Sequence, residues 1–258
     1  RGAEVLRCPA RNPSLHTHET LKKIVFERRG GFCWEINVAF AWLLKALGYR
    51  VRFGNANVIK PKGPPIPGHL CLFVDGLLKG PFLVDPGFGD APRVPIPLNF
   101  GTKVTDSMIG DEYCVISNDG SKYDQTKDQR KRFNGVLMRS RCRGLANSPM
   151  VDFAGMERPP ISNEMTPPEP IYLFNGKDDC EMDCAEFKNG LSSVLRKDKE
   201  NPFSQKRLCF LATQKGYKFQ GEEYFKVVEF GKEISRAELK SELAYRDSLF
   251  EHFNVTLR

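Results

Sequence analysis

The strongest constraint on the fold is a change of apolar period at Gly48. From Cys33 onward Ile36, Phe40, Leu43, Leu44 and Leu47 recur at helical spacing, and Gly48 stands where a helix stop is expected. Beyond it the chain turns to short β-rich runs at Val51 to Val58, His69 to Val74 and Phe82 to Asp85, separated by Pro and Gly. A helical first part followed by a β part is therefore expected, with the helix beginning at or beside Cys33. Residues 101–150 are polar and weakly patterned, and the proline-dense Pro159 to Pro170 reads as a linker with a boundary near 160. Past it the sequence predicts a strand at Ile171 to Phe174, a helix over Ala185 to Leu195, and strands at Arg207 to Thr213 and Tyr224 to Phe230. A last helix is expected to open at Ser235, with Glu238 completing a capping box.

With 258 residues and 40% apolar side chains the chain can bury a sizeable core. No apolar run approaches the roughly 18 residues that span a bilayer, the best one, Val38 to Leu47, being broken by Lys45. A soluble chain with no membrane partner is expected. Eight scattered cysteines suit reduced thiols in a cytoplasmic setting better than a disulfide framework. The net charge of +7 and the clusters Lys127 to Arg132 and Arg196 to Lys199 come without a nucleic-acid module. They fit solvated faces, or a groove for one phosphorylated small molecule, and nucleic acid is not an expected partner. Cys8, His16, His18, Cys180 and Cys184 show no structural zinc spacing, so no metal is expected.

The chemistry gathers at three places. The run Arg28-Arg29-Gly30-Gly31-Phe32-Cys33 puts a thiol at a helix start, where the amides and dipole favour an anion and lower a thiol's pKa. Position alone also suits a small buried hydrophobe. His69 opens one strand and Asp85 closes another, each compatible with a structural role taken singly. Together the three supply nucleophile, base and orienting carboxylate. Glu35 is off the Cys33 face and expected to pair with Arg29 or another cation, whereas Asn37 at i+4 lies below the thiol. A two-residue turn at Asp75-Gly76 would pair Val74 with Leu77 and put His69 and Asp85 on opposite faces. The set therefore requires an odd-length connection or a bulge.

The stretch Arg29-Gly30-Gly31-Phe32-Cys33-Trp34-Glu35-Ile36-Asn37, the His69 strand and Asp85-Pro86-Gly87-Phe88-Gly89 resemble the arylamine N-acetyltransferases in content and order. The likeness continues through Ile171 to Phe174 and Asn201 to Ser204 to Phe253 to Leu257, and is weak over 101–160. It implies an α+β multidomain fold: a helical N-terminal domain (1–48), a β-barrel middle domain (49–160) carrying His69 and Asp85, and an α/β lid (161–258). It implies Cys33, His69 and Asp85 as the catalytic residues. It further implies substrate- or CoA-binding roles for Phe32, Gly68, Phe88 and Ser204, with core packing the competing reading for the two phenylalanines.

The implied reaction is ping-pong transfer from acetyl-CoA, a co-substrate rather than a permanently bound cofactor, to an aromatic amine or hydrazine. The family carries more helix ahead of its cysteine than the 32 residues here, which implies a shortened or divergent first domain. Pro86 replaces a small or aliphatic residue and pushes Asp85 toward extended angles. A Cys-His-Asp hydrolase or transglutaminase-like enzyme, and a non-catalytic binding protein of the same fold, are the rival readings. The acyl group (acetyl or malonyl), the particular amine and the oligomeric state are open at this level.

Overall fold

The computed structural model describes residues 16–75, 80–90, 92–118, 133–142, 150–151, 157–158, 164–177, 185–196 and 206–257. A short helix α1 (Thr17–Leu21) runs into a π-helical turn (Lys22–Phe26), and α2 (Cys33–Ala46) follows. Next come β1 (Arg50–Val58), β2 (Ile66–Asp75), β3 (Phe82–Val84), a 3-10 turn (Pro86–Phe88), β4 (Ile96–Pro97), β5 (Lys103–Thr105), β6 (Glu112–Ser117) and β7 (Gly135–Ser140). The small ribbon β8 (Met150–Val151) and β9 (Glu157–Arg158) precedes β10 (Glu169–Phe174) and α3 (Ala185–Leu195). The C-terminal part holds β11 (Cys209–Thr213), β12 (Gly216–Gln220), β13 (Tyr224–Glu229), β14 (Lys232–Glu238) and α4 (Glu242–Phe253).

Eight strands form one antiparallel sheet in the order β4-β3-β2-β1-β10-β7-β6-β5, and β4 comes back against β6, so the sheet curls into a nearly closed barrel. The molecule is thus α+β, as expected. Two placements differ from the sequence-based expectation. The strand expected beyond the linker, β10, lies inside the large sheet between β1 and β7. Its buried Ile171, Tyr172, Leu173 and Phe174 fill both faces of a central position, a place that local pattern cannot distinguish from a strand in another sheet. Ser235 does not open a helix: it lies in β14, paired with Val227, and the last helix is capped by Ser241, whose hydroxyl accepts from the Ala244 amide. Both serines precede a plausible helical run, and pairing with β13 decides between them. The remaining sheet, in the order β11-β12-β13-β14, packs α4 through Tyr245, Leu249 and Phe253.

β2 is buried on both faces. Cys71 and Phe73 enter the barrel core with Ala56, Tyr172 and Phe174, while Leu70 meets Trp34 and Phe187, and Leu72 and Val74 meet Ala41. Each such ring or branched chain contributes roughly 2 kcal/mol. Near its start the strand bulges, since Ala56 pairs with His69 and Asn57 with Pro67, leaving Gly68 without a partner. Gly68 has φ +98°, and a Cβ there would lie 2.2 Å from the Gly190 carbonyl oxygen of α3. Its own carbonyl accepts from Trp34 Nε1 at 2.7 Å. Gly68→Ala is accordingly expected to destabilise by about 3 kcal/mol or more, read as a lowered urea midpoint. A midpoint equal to wild type would contradict this account of the bulge.

No helix among the described residues is long and apolar enough to cross a membrane. No disulfide joins the described cysteines Cys33, Cys71, Cys114, Cys142 and Cys209 to one another, and no described group of His, Cys, Asp and Glu could hold a metal ion.

Candidate active site

The nucleophile loop is shaped by Glu35. Arg28 (φ +54°) and Gly30 (φ +73°) turn the chain after the π-helical turn, and Phe32 is extended, so α2 starts at Cys33. The Glu35 carboxylate folds back to accept from the Phe32 amide at 3.2 Å and from Lys23 Nζ at 2.9 and 3.0 Å. A Cβ on Gly31 would meet Glu35 Cβ at 2.9 Å, which is why this loop needs a glycine there. Glu35 therefore takes Lys23 as a cation, tying the π-helical turn to the first turn of α2. Cys33 stands half-buried at N1, where amides lack intrahelical acceptors.

β2 and β3 bring the other two groups together. Phe73 lies opposite Leu83 and Leu72 opposite Val84, so the odd-length connection 75–81 sets the register that puts His69 and Asp85 on one face. The turn at Asp75-Gly76 falls partly outside the described residues. His69 Nε2 and Asp85 Oδ2 are 2.6 Å apart, both buried, and the Cys33 side chain lies close enough to the imidazole to help raise its pKa. Asn37 lies on α2 between these elements. Its Nδ2 donates to Asp85 Oδ1 at 2.9 Å and to the Leu70 carbonyl at 2.5 Å, and its Oδ1 accepts from the Gly87 amide at 3.2 Å. Asn37 thus steadies the carboxylate rather than the thiol. The backbone of Gly87 packs so close to α2 that a Cβ would sit 2.8 Å from the Cys33 carbonyl oxygen.

Burial pulls the His69 pKa down, but the Asp85 charge and hydrogen bond, reinforced by Cys33, push it up to about 10. A pKa raised on folding from 6.5 gives stability that is fully present below 6.5 and lost as pH rises through about 10. The stability gap between wild type and His69→Gln should therefore narrow steadily from neutral pH to about 10. Urea midpoints at intervals across that range provide the check, and a gap independent of pH would contradict it.

Two aromatic rings pack on the imidazole. Phe88 meets it edge-on with centroids 5.2 Å apart, and Tyr172 lies 5.3 Å from it and 5.4 Å from Phe88. Phe32 is packed in the core with Trp34, Leu70 and Phe187, and also borders the cavity. That cavity, about 1170 Å³, is shared by the helical part, the barrel and the C-terminal sheet. Cys33, His69, Gly68 and Phe88 line one side, and Phe210, Tyr217, Phe219, Tyr224 and Lys226 the other. It exceeds the usual span for one drug-sized ligand. Ser204 lies outside the described residues.

Tyr172, Lys23 and the aromatic wall of the C-terminal sheet were not singled out as site residues in the sequence. Tyr172 falls within the Ile171 to Phe174 segment, but nothing local marks it as the one residue of that run that reaches the imidazole.

A thiol at a helix N-terminus beside an imidazole that is backed by a buried carboxylate is the geometry of the Cys-His-Asp class of site. The chain belongs to the N-acetyltransferase family, whose model matches residues 6–258. Among curated relatives it is 31% identical to an arylamine N-acetyltransferase, a pineal gland isozyme of Gallus gallus, over 136 residues covering 48% of this chain and 46% of that protein. It is 38% identical to an arylamine N-acetyltransferase of Mycobacterium bovis over 85 residues, 31% of this chain and 30% of the relative. The matched region thus spans less than half the length of these relatives.

The fold is similar to the Mycobacterium marinum arylamine N-acetyltransferase solved in complex with CoA. The TM-score is 0.73 at 22% identity, covering 98% of this chain and 81% of that one. It is also similar to a Bacillus cereus arylamine N-acetyltransferase described as having a Cys-His-Glu catalytic triad. There the TM-score is 0.71 at 17% identity, covering 99% and 86% of the two chains.

Proposed function

We propose that the protein is an arylamine N-acetyltransferase that carries an acetyl group from acetyl-CoA to an aromatic amine or hydrazine through an acyl-cysteine. The observation that carries this reading is the imidazole held between Asp85 and Cys33 at the floor of a cavity walled by aromatic rings. Cys33 sulfur attacks the thioester carbonyl while its proton is held on His69. The new C–S bond forms, the bond to the CoA sulfur breaks, and CoA leaves with the proton from the imidazolium. In the second half-reaction the amine nitrogen attacks the acyl-cysteine, its proton passes to His69, and the bond to Cys33 breaks. In this reading the Cys33 amide, at the first turn of α2, donates to the oxyanion.

Arg28 and Lys226 are the arginine and lysine lining the cavity among the described residues, and in this reading they face the CoA phosphates. Phe88 contributes an edge to the aromatic acceptor's pocket. Gly68 acts chiefly through the bulge that presents His69, and Ser204 is retained as a CoA-binding residue from the family resemblance alone. The layout we infer has a helical part over 1–48, a barrel over 49–160 completed by the returning β10, and the rest as a lid. No permanently bound cofactor, metal or nucleic acid enters this reading, and the setting is cytoplasmic.

Because one sulfur serves both substrates in turn, double-reciprocal plots with acetyl-CoA and an aminobenzene as varied substrates should be parallel, with CoA released before any amine is added. Intersecting lines would mean direct transfer in a ternary complex and would remove Cys33 from the pathway. Rapid release of free acetate without amine would favour a hydrolase.

A further inference from the structure

The segment 85–90 is fixed at both ends by different groups. At its start Asp85 is bonded to His69 and Asn37. At its end the Asp90 carboxylate accepts from Arg139 Nη1 at 2.8 Å and from Arg141 Nη2, and Arg139 Nη1 also reaches the Asp90 carbonyl oxygen at 3.4 Å. Between these anchors lie Phe88, edge-on to the imidazole, and Gly89 with φ +88°. The other edge of the same guanidinium, Nε at 3.0 Å and Nη2 at 2.7 Å, donates to Glu169 Oε1, the residue opposite Arg139 across β7 and β10. Three residues further along β10 is Tyr172, whose ring packs on both His69 and Phe88.

Arg139 is only 7% exposed, and an apolar pair could join β7 to β10 without desolvating a cation. What an apolar pair lacks is the rigid planar fork, which sets both distance and direction toward two carboxylates at once. Burial pushes the Asp90 carboxyl up, but the Arg139 and Arg141 guanidinia outweigh it and hold the group below the ordinary carboxylate range, so the bridge persists through neutral pH. Arg141 also faces Asp111 at 4.0 Å and Glu169 at 3.6 Å.

We infer that Arg139 is a positioning residue: by bridging Asp90 and Glu169 it fixes the spacing between the loop that presents Asp85 and Phe88 and the strand that presents Tyr172, and so aims the His69 ring at both Asp85 and Cys33. The inference rests on reading Cys33, His69 and Asp85 as one working set, and is independent of the acyl donor.

The test is the pH profile of Cys33 alkylation by iodoacetamide in the full chain, with no acyl donor present, followed by peptide mapping and accompanied by thermal melts. Arg139→Lys, Asp90→Asn and Asp90→Glu are compared with Arg52→Gln. The last breaks a bidentate pair with Asp75 (2.7 and 3.1 Å) that has no part in the loop. Arg139→Lys and Asp90→Asn should alkylate about tenfold more slowly near neutral pH and shift the profile upward, with partial rescue in Asp90→Glu. Arg52→Gln should lower the melting temperature and leave the profile unchanged. Asp90→Asn keeps the side-chain shape and gives the answer by itself where an Arg139 variant fails to fold. The inference is overturned if the loop variants melt lower yet keep the wild-type profile, or if Arg52→Gln shifts it equally. A wild type that alkylates selectively at Cys33 but never accepts an acetyl group would sink the proposed activity and leave this inference standing.

Discussion

Cys33→Ala is expected to lose acyl transfer by about 10⁶-fold while folding as wild type does. Removing the sulfur deletes the atom to which the acyl group must be attached, and no neighbouring side chain among the described cavity residues can replace it as a nucleophile at that position. The structural cost is small. The residue is half-buried at N1, where alanine is well tolerated, and the loop before it is held by Glu35 through Lys23 and the Phe32 amide, none of which involves the thiol. Steady-state assays with acetyl-CoA and an aromatic amine, paired with a thermal melt, separate the two effects. Residual activity above about 1% of wild type would mean that acyl transfer does not pass through this sulfur.

Asp85→Asn should lower the rate of acylation by about 10³- to 10⁴-fold, again with little change in shape. The carboxylate has two separate duties: Oδ2 faces His69 Nε2 at 2.6 Å and Oδ1 accepts from Asn37 Nδ2 at 2.9 Å. An amide at this position has one acceptor oxygen to serve both. With Asn37 also bound to the Leu70 carbonyl, and so fixed as a donor toward residue 85, the amide oxygen must turn toward Asn37 and its NH₂ toward the imidazole. The NH₂ then confronts a ring nitrogen that ought to be a donor, which favours the unprotonated edge there and withdraws the charge that holds His69 as an imidazolium. Single-turnover acylation measured by quenched flow reads this step alone. A loss below about tenfold would show that His69 is oriented mainly by its aromatic neighbours.

Local chemistry in the sequence marked the residues of the candidate site. The thiol at the start of an amphipathic helix is a pattern within a dozen residues, and α2 does begin at Cys33. The demand that His69 and Asp85 share a face, a parity argument about β-strands, matches the register of Phe73 opposite Leu83. Contacts between distant segments were not legible in the same way. Nothing near Asn37 signals that its partners are Asp85 and the Leu70 carbonyl, and nothing near Glu35 marks Lys23, twelve residues earlier and across a π-helical turn, as its cation. β10 was recognised as a strand, yet strand propensity does not say which sheet takes it. The aromatic side of the cavity comes from β11, β12 and β13, whose mixed burial gives no hint that one face looks onto a thiol more than 170 residues away in sequence. The serine at 235 shows the limit of short signatures, since pairing with β13 outweighs a capping pattern.

In the proposed reaction one sulfur of the eight cysteines carries the acyl group between substrates. The most direct measurement is the intact mass of the full chain mixed with acetyl-CoA in the absence of amine, followed by peptide mapping and by addition of an aromatic amine. The chain should gain one acetyl group, confined to the peptide containing Cys33, missing in Cys33→Ala and discharged when the amine is added. An unmodified mass under conditions in which the amine is acetylated, or an acetyl group found on another residue, would contradict it.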